Sequence, residues 1–127
     1  MLLELCGPVS TDAERIGSAA FLPQRHPVKR DPTLRESGYP VYLLAEAMAQ
    51  VACRTARAGD AADRRMLPVR ITRLVTQQAI SLDGPSTLEA RPVRLQPLPE
   101  FACRLLDSNG LPLASATITV APAEHNS

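Results

Sequence analysis

The sequence predicts an α+β domain in which a curved antiparallel β-sheet wraps around one long central helix. Three observations carry this. From Tyr39 to Cys53 the chain is rich in Leu, Ala and Met and holds a single charge, Glu46, the composition of a largely buried helix. Near the C-terminus Ala114, Ala116, Ile118 and Val120 alternate with Ser115, Thr117 and Thr119, the period of a half-buried strand. The order of segments is strand, strand, loop, helix and then four strands.

Each element has its own signal. Leu2 to Cys6 is a short apolar run closed by Gly7-Pro8, and Ala13 to Leu22 reads as a second strand. Pro23, Pro27 and Pro32 among charged residues make Pro23 to Ser37 a loop. The helix opens at Pro40, in the first-turn position that proline tolerates, and runs to about Ala58. Arg54 and Arg57 suit the negative end of its dipole, and Gly59 is the stop. A polar link, Asp60 to Arg65, leads into strands at Val69 to Leu82 and Thr87 to Leu98, joined by Asp83-Gly84-Pro85. The second of these changes phase at Pro92, which predicts a bulge or an edge. Phe101, Cys103 and Leu105 alternate before Asn109-Gly110, the pair best suited to a tight hairpin turn. One domain over residues 1–122 and a loose tail over 123–127 follow.

Bulk composition excludes several classes. A chain of 127 residues can bury a real core. With two Phe, two Tyr and no Trp, that core must be aliphatic. A net charge of +1 argues against nucleic acid as the partner. Three cysteines, Cys6, Cys53 and Cys103, show no metal-ligand spacing and fit a reduced, cytoplasmic protein. Glu4 interrupts the N-terminal apolar run too early for a signal peptide. No apolar run reaches the roughly 20 residues that cross a membrane. There is no cofactor motif and no metal constellation, so neither is expected.

Glu46 is the most informative residue. An acid inside such a helix must be paired, hydrogen-bonded or neutral, or else lie on the helix's wet face. A buried carboxyl is also how enzymes keep a general acid near neutral pH. Gln50 stands one turn later on the same face. Cys53 is a core residue or a nucleophile, and Tyr39 and Tyr42 pack or donate hydroxyls at the helix start. Arg64, Arg65, Arg70 and Arg73 are either a solvated surface or a docking patch for acidic partners. His125 belongs to the tail.

The order of elements, with Glu46-Ala-Met-Ala-Gln50 six residues after Pro40, resembles the hotdog-fold 3-hydroxyacyl-thioester dehydratases of fatty-acid synthesis. The resemblance spans most of the chain by element order and is specific over Pro40 to Gln50. It implies that a histidine removes the proton α to the thioester while the helix acid of the partner subunit protonates the departing hydroxyl. A backbone N–H at the helix N-terminus would hold the thioester carbonyl. Carried over by position, Glu46 is the acid, Gln50 its polar neighbour, and Val41 and Tyr42 line the substrate. The arginine cluster would dock acyl carrier protein or coenzyme A, and the subunit would form a homodimer or pair with a hotdog homologue.

Three departures from the pattern stand out. The family's histidine lies fourteen residues before the acid, where this chain has Pro32; His26, twenty residues before it, is the nearest substitute. The glycine that opens the family's helix is Val41 here, and the loop's Pro-Gly is missing. The alternatives are therefore a degenerate subunit that completes an active partner, and a thioesterase in which Glu46 activates water without a histidine.

Overall fold

The structure, a computed structural model, describes residues 4–22, 41–76 and 85–123. One helix lies on one face of a six-stranded antiparallel sheet. In chain order the elements are β1 (Ser10–Thr11), β2 (Gly17–Ala20), α1 (Val41–Ala58), β3 (Met66–Thr76), β4 (Thr87–Arg94), β5 (Glu100–Leu106) and β6 (Pro112–Pro122). The strand order across the sheet is β1-β2-β4-β5-β6-β3. This is the predicted architecture.

The core sits between helix and sheet. Leu43, Leu44, Ala47, Met48, Val51 and Ala52 face inward from α1. Leu88 and Ala90 of β4, Phe101, Cys103 and Leu105 of β5, and Ala114, Ala116, Ile118 and Val120 of β6 meet them. Every second residue of β5 and β6 is buried, so the alternation read from the sequence is the pleat itself. Each large aliphatic buried this way contributes about 1.5–3 kcal/mol. The helix approaches β2 closely at Gly17, where an added Cβ would lie 1.9 Å from the Thr55 hydroxyl oxygen. Only glycine fits there.

Several boundaries differ from expectation, each for a local reason. The strand expected over Ala13 to Leu22 begins only at Gly17. Before it the Asp12 carboxylate accepts the N–H groups of Glu14 (2.8 Å) and Ile16 (3.0 Å), closing a turn with Arg15 at φ 63°. The described part of the Leu2 to Cys6 run joins the sheet by a single bridge, Cys6 to Phe21. β3 begins at Met66, three residues early, because Met66 and Leu67 pair with Pro122 and Ala121. β4 ends at Arg94, beyond a bulge between Pro92 and Arg94 that the proline predicted. The β5–β6 connection is longer than a two-residue turn. The Asp107 carboxylate holds the N–H groups of Asn109 and Leu111, and Gly110 alone takes a left-handed φ, 82°. Pro40, Tyr39, the loop Pro23 to Ser37, Asp83-Gly84 and His125 lie outside the described residues.

Candidate active site

The stripe Glu46, Gln50 and Arg54 runs along α1 at four-residue intervals, so the three side chains stack on one face. All three are half-buried. Beside them lies a cavity of about 290 Å³, walled also by Ala49, Cys53, Glu4 and the start of β3.

The stripe is tied to the segment that crosses it. Leu5 N–H donates to Gln50 Oε1 at 2.8 Å. With its carbonyl oxygen so engaged, the Gln50 amide nitrogen must point the other way, toward Glu46, and it donates to Glu46 Oε1 at 3.5 Å. At that length the bond is weak. Arg54 donates to the carbonyls of Cys6 and Gly7 and pairs with Glu4 at 3.0 Å. Glu46 is thus a half-buried carboxylate with one long hydrogen bond among the described residues. Among the described residues no cationic side chain lies within ion-pair distance of it.

Cys53 shares the cavity, but burial and the Glu46 carboxylate push its thiol up to about 11. Burial pushes Cys103 up to about 12, and raises Cys6 as well. Burial thus disfavours the thiolate at all three, and Cys53 forms part of the cavity wall. Among the described residues no group of His, Cys, Asp and Glu is arranged to hold a metal ion.

The remaining expected site residues disperse. Val41 and Tyr42 are 48% and 63% exposed in the first turn of α1 and do not line this cavity. Of the four arginines, Arg65 lines it, with no acid within ion-pair distance among the described residues. Arg64 faces a second cavity, about 630 Å³, and is held by Asp60 at 3.0 Å. Arg70 and Arg73 lie on the edge strand β3, both exposed. His26 lies outside the described residues. Sequence reasoning missed Arg54 and the backbone of Leu5. The four-residue spacing was visible, but the contact forty-five residues away from Gln50 was not.

No family model and no curated protein matches the sequence. Solved structures do. A conserved protein of Pseudomonas aeruginosa superposes with a TM-score of 0.70 at 14% identity, over 93% of this chain and 88% of that one. A thioesterase from Haemophilus influenzae gives 0.68 at 12%, over 94% and 81%. The dehydratase heterocomplex ApeI:P from Xenorhabdus doucetiae gives 0.64 at 14%, over 98% and 84%. At such identities the likeness defines the fold. The chain has the hotdog fold.

Proposed function

We propose that this chain processes acyl thioesters, with Glu46 as the group that moves the proton, and that its reaction is the dehydration of 3-hydroxyacyl chains. The observation that carries the reading is the half-buried Glu46 carboxylate, facing a cavity with one 3.5 Å hydrogen bond from Gln50. In dehydration a base takes the proton from the carbon α to the thioester, and the acid delivers a proton to the β-hydroxyl, which leaves as water. The electron pair of the C–H bond becomes the new double bond. Glu46 has the acid's role, His26 the base's, and Gln50 orients the acid. Val41 N–H, at the positive end of α1 but outside this cavity, is the group the resemblance assigns to the thioester oxygen, which gains negative charge as the proton departs.

Arg65 adds a cation to the cavity wall, which fits the phosphate of a coenzyme A or carrier-protein arm. Arg64, Arg70 and Arg73 keep a proposed part in docking from outside the cavity. The edge strand β3 exposes Leu67, Val69 and Ile71, and pairing it with a second hotdog subunit would satisfy its open backbone groups.

One observation favours a second reading, hydrolysis. In it Glu46 would activate a water and Gln50 would orient it, with no histidine needed; both are among the described residues, and a solved neighbour is a thioesterase.

Mass spectrometry on purified protein separates these. Acyl chains on carrier protein and on coenzyme A, bearing a 3-hydroxyl or a 2,3-double bond, would be supplied to wild type, Glu46→Gln and His26→Ala. Interconversion of hydroxyacyl and enoyl chains, lost in both variants, is the expected result. Release of free acid, lost only in Glu46→Gln, would establish hydrolysis. A folded protein that turns over nothing would overturn both and leave the non-catalytic partner of a heterodimer, to be sought by co-purification.

A further inference from the structure

The segment Glu4 to Gly7 is held from two sides. Toward the sheet, Leu22 N–H donates to the Leu5 carbonyl at 2.8 Å and Gly7 N–H to the Ala20 carbonyl at 2.9 Å. Toward the helix, Gln50 receives the Leu5 N–H, and Arg54 grips Glu4, Cys6 and Gly7 together. Leu5 and Cys6 are buried beneath these contacts. Arg54 thus links helix to segment on both sides of Leu5, at Glu4 and at Cys6 and Gly7, and Gln50 binds Leu5 itself between them.

This geometry has a direction. The sheet-side bonds set where the segment lies, but not how it sits against α1. Arg54, one turn beyond Gln50, sets that register by binding two successive carbonyls and one carboxylate. Register decides whether Leu5 N–H meets Gln50 Oε1. That bond in turn decides which way the Gln50 amide points, because an amide whose oxygen is engaged presents its nitrogen on the other side. The nitrogen is what faces Glu46.

We propose that Arg54 is a positioning residue for Glu46, acting through the Glu4–Gly7 segment and the Gln50 amide; its effect on turnover rests on the reading of Glu46 as the reacting group. Arg54 touches no reacting atom in this scheme. Its own charge is matched by Glu4, so it serves by geometry.

The test is a double-mutant cycle with an independent structural readout. Arg54→Ala, Arg54→Lys, Gln50→Ala and the Arg54→Ala/Gln50→Ala pair would be assayed on the thioester that the wild type turns over. Arg54→Ala is expected to lower kcat about tenfold with KM within about twofold, and Arg54→Lys to recover part of the loss. The pair is expected to be no slower than Gln50→Ala, since Arg54 acts through Gln50. Losses that multiply would overturn the proposal. In parallel, amide hydrogen exchange by NMR is expected to quicken about tenfold at Leu5 N–H in Arg54→Ala while the β5 and β6 amides hold their protection. Unchanged exchange at Leu5 would overturn it whatever the kinetics show. If the wild type turns over no thioester, the catalytic reading fails, and exchange at Leu5 and the Gln50 side-chain amide still decides the positioning claim. Should Arg54→Ala fail to fold, Arg54→Lys carries both readouts.

Discussion

The cavity beside Glu46 and the cavity at the end of α1 differ in volume, about 290 against 630 Å³, and differ the other way in the chemistry of their walls. In the larger one, Asp60 accepts three bonds from Arg64, and the Thr55 hydroxyl donates to the Val51 carbonyl. Its other walls are largely prolines and apolar side chains such as Leu98 and Phe101. No carboxylate there is left to move a proton. In the smaller one, Arg54 and Arg57 have acids, but Glu46 has one long bond. Arg15 also lines the larger cavity without an acid partner among the described residues, so what sets the smaller one apart is a carboxylate with no cation paired to it.

The comparison breaks most easily at Glu46. Glu46→Gln keeps the shape and removes the titrating group, so turnover should fall by about 10²–10⁴-fold with the melting temperature nearly unchanged. Steady-state kinetics and a thermal melt on the same preparation check this. If turnover survives, the smaller cavity has no special claim.

The wall of the larger cavity should instead answer in stability. Gly17→Ala would drive a methyl into Thr55, and over-packing of this kind costs about 1–3 kcal/mol. Chemical denaturation measures the loss, and Gly17→Ala/Thr55→Ala should return part of it. Asp60 gives a smaller and pH-dependent effect. The Arg64 guanidinium and backbone N–H hold its carboxyl down at about 2, below the usual value of about 3.9. Its contribution is therefore complete above the unfolded value and lost as pH falls toward 2. Asp60→Asn should lower the melting temperature slightly at pH 7 and by less at pH 2. Smallest of all, Cys53→Ser should leave turnover within about twofold, because a thiol held up at about 11 is not ionised at neutral pH.

The fold was legible where local pattern and tertiary burial agree. The alternation in β5 and β6 faces one layer of helix, so sequence period and burial coincide. β3 is harder. It lies at the sheet edge with bulges at Pro68/Arg70 and Thr72/Val75, and most of its residues stay exposed, so no single period runs through it. β1 is two residues long and exists because β2 pairs with it, which no local signal reports. At the site, Glu46 was legible as a lone charge in an apolar helix, and Gln50 as its neighbour one turn on. The arginines were not, because adjacency at Arg64 and Arg65 sends one side chain to each cavity. Arg54 was assigned to the helix end, where its sequence position puts it; its partners lie in a segment nearly fifty residues earlier.

The spacing of Glu46, Gln50 and Arg54 has a consequence for how the chain can change length. Successive residues of an α-helix are turned by about 100° about its axis, and four bring the direction nearly back to its start. One residue inserted between Gln50 and Arg54 would turn Arg54 a quarter-circle away from Cys6 and Gly7 while leaving Glu46 in place. The same insertion at Ser108, in the exposed β5–β6 connection, would rotate nothing. Across this stretch of α1, then, substitution is a graded change and insertion an abrupt one, and variants that alter the helix's length should be the rarest to keep the site.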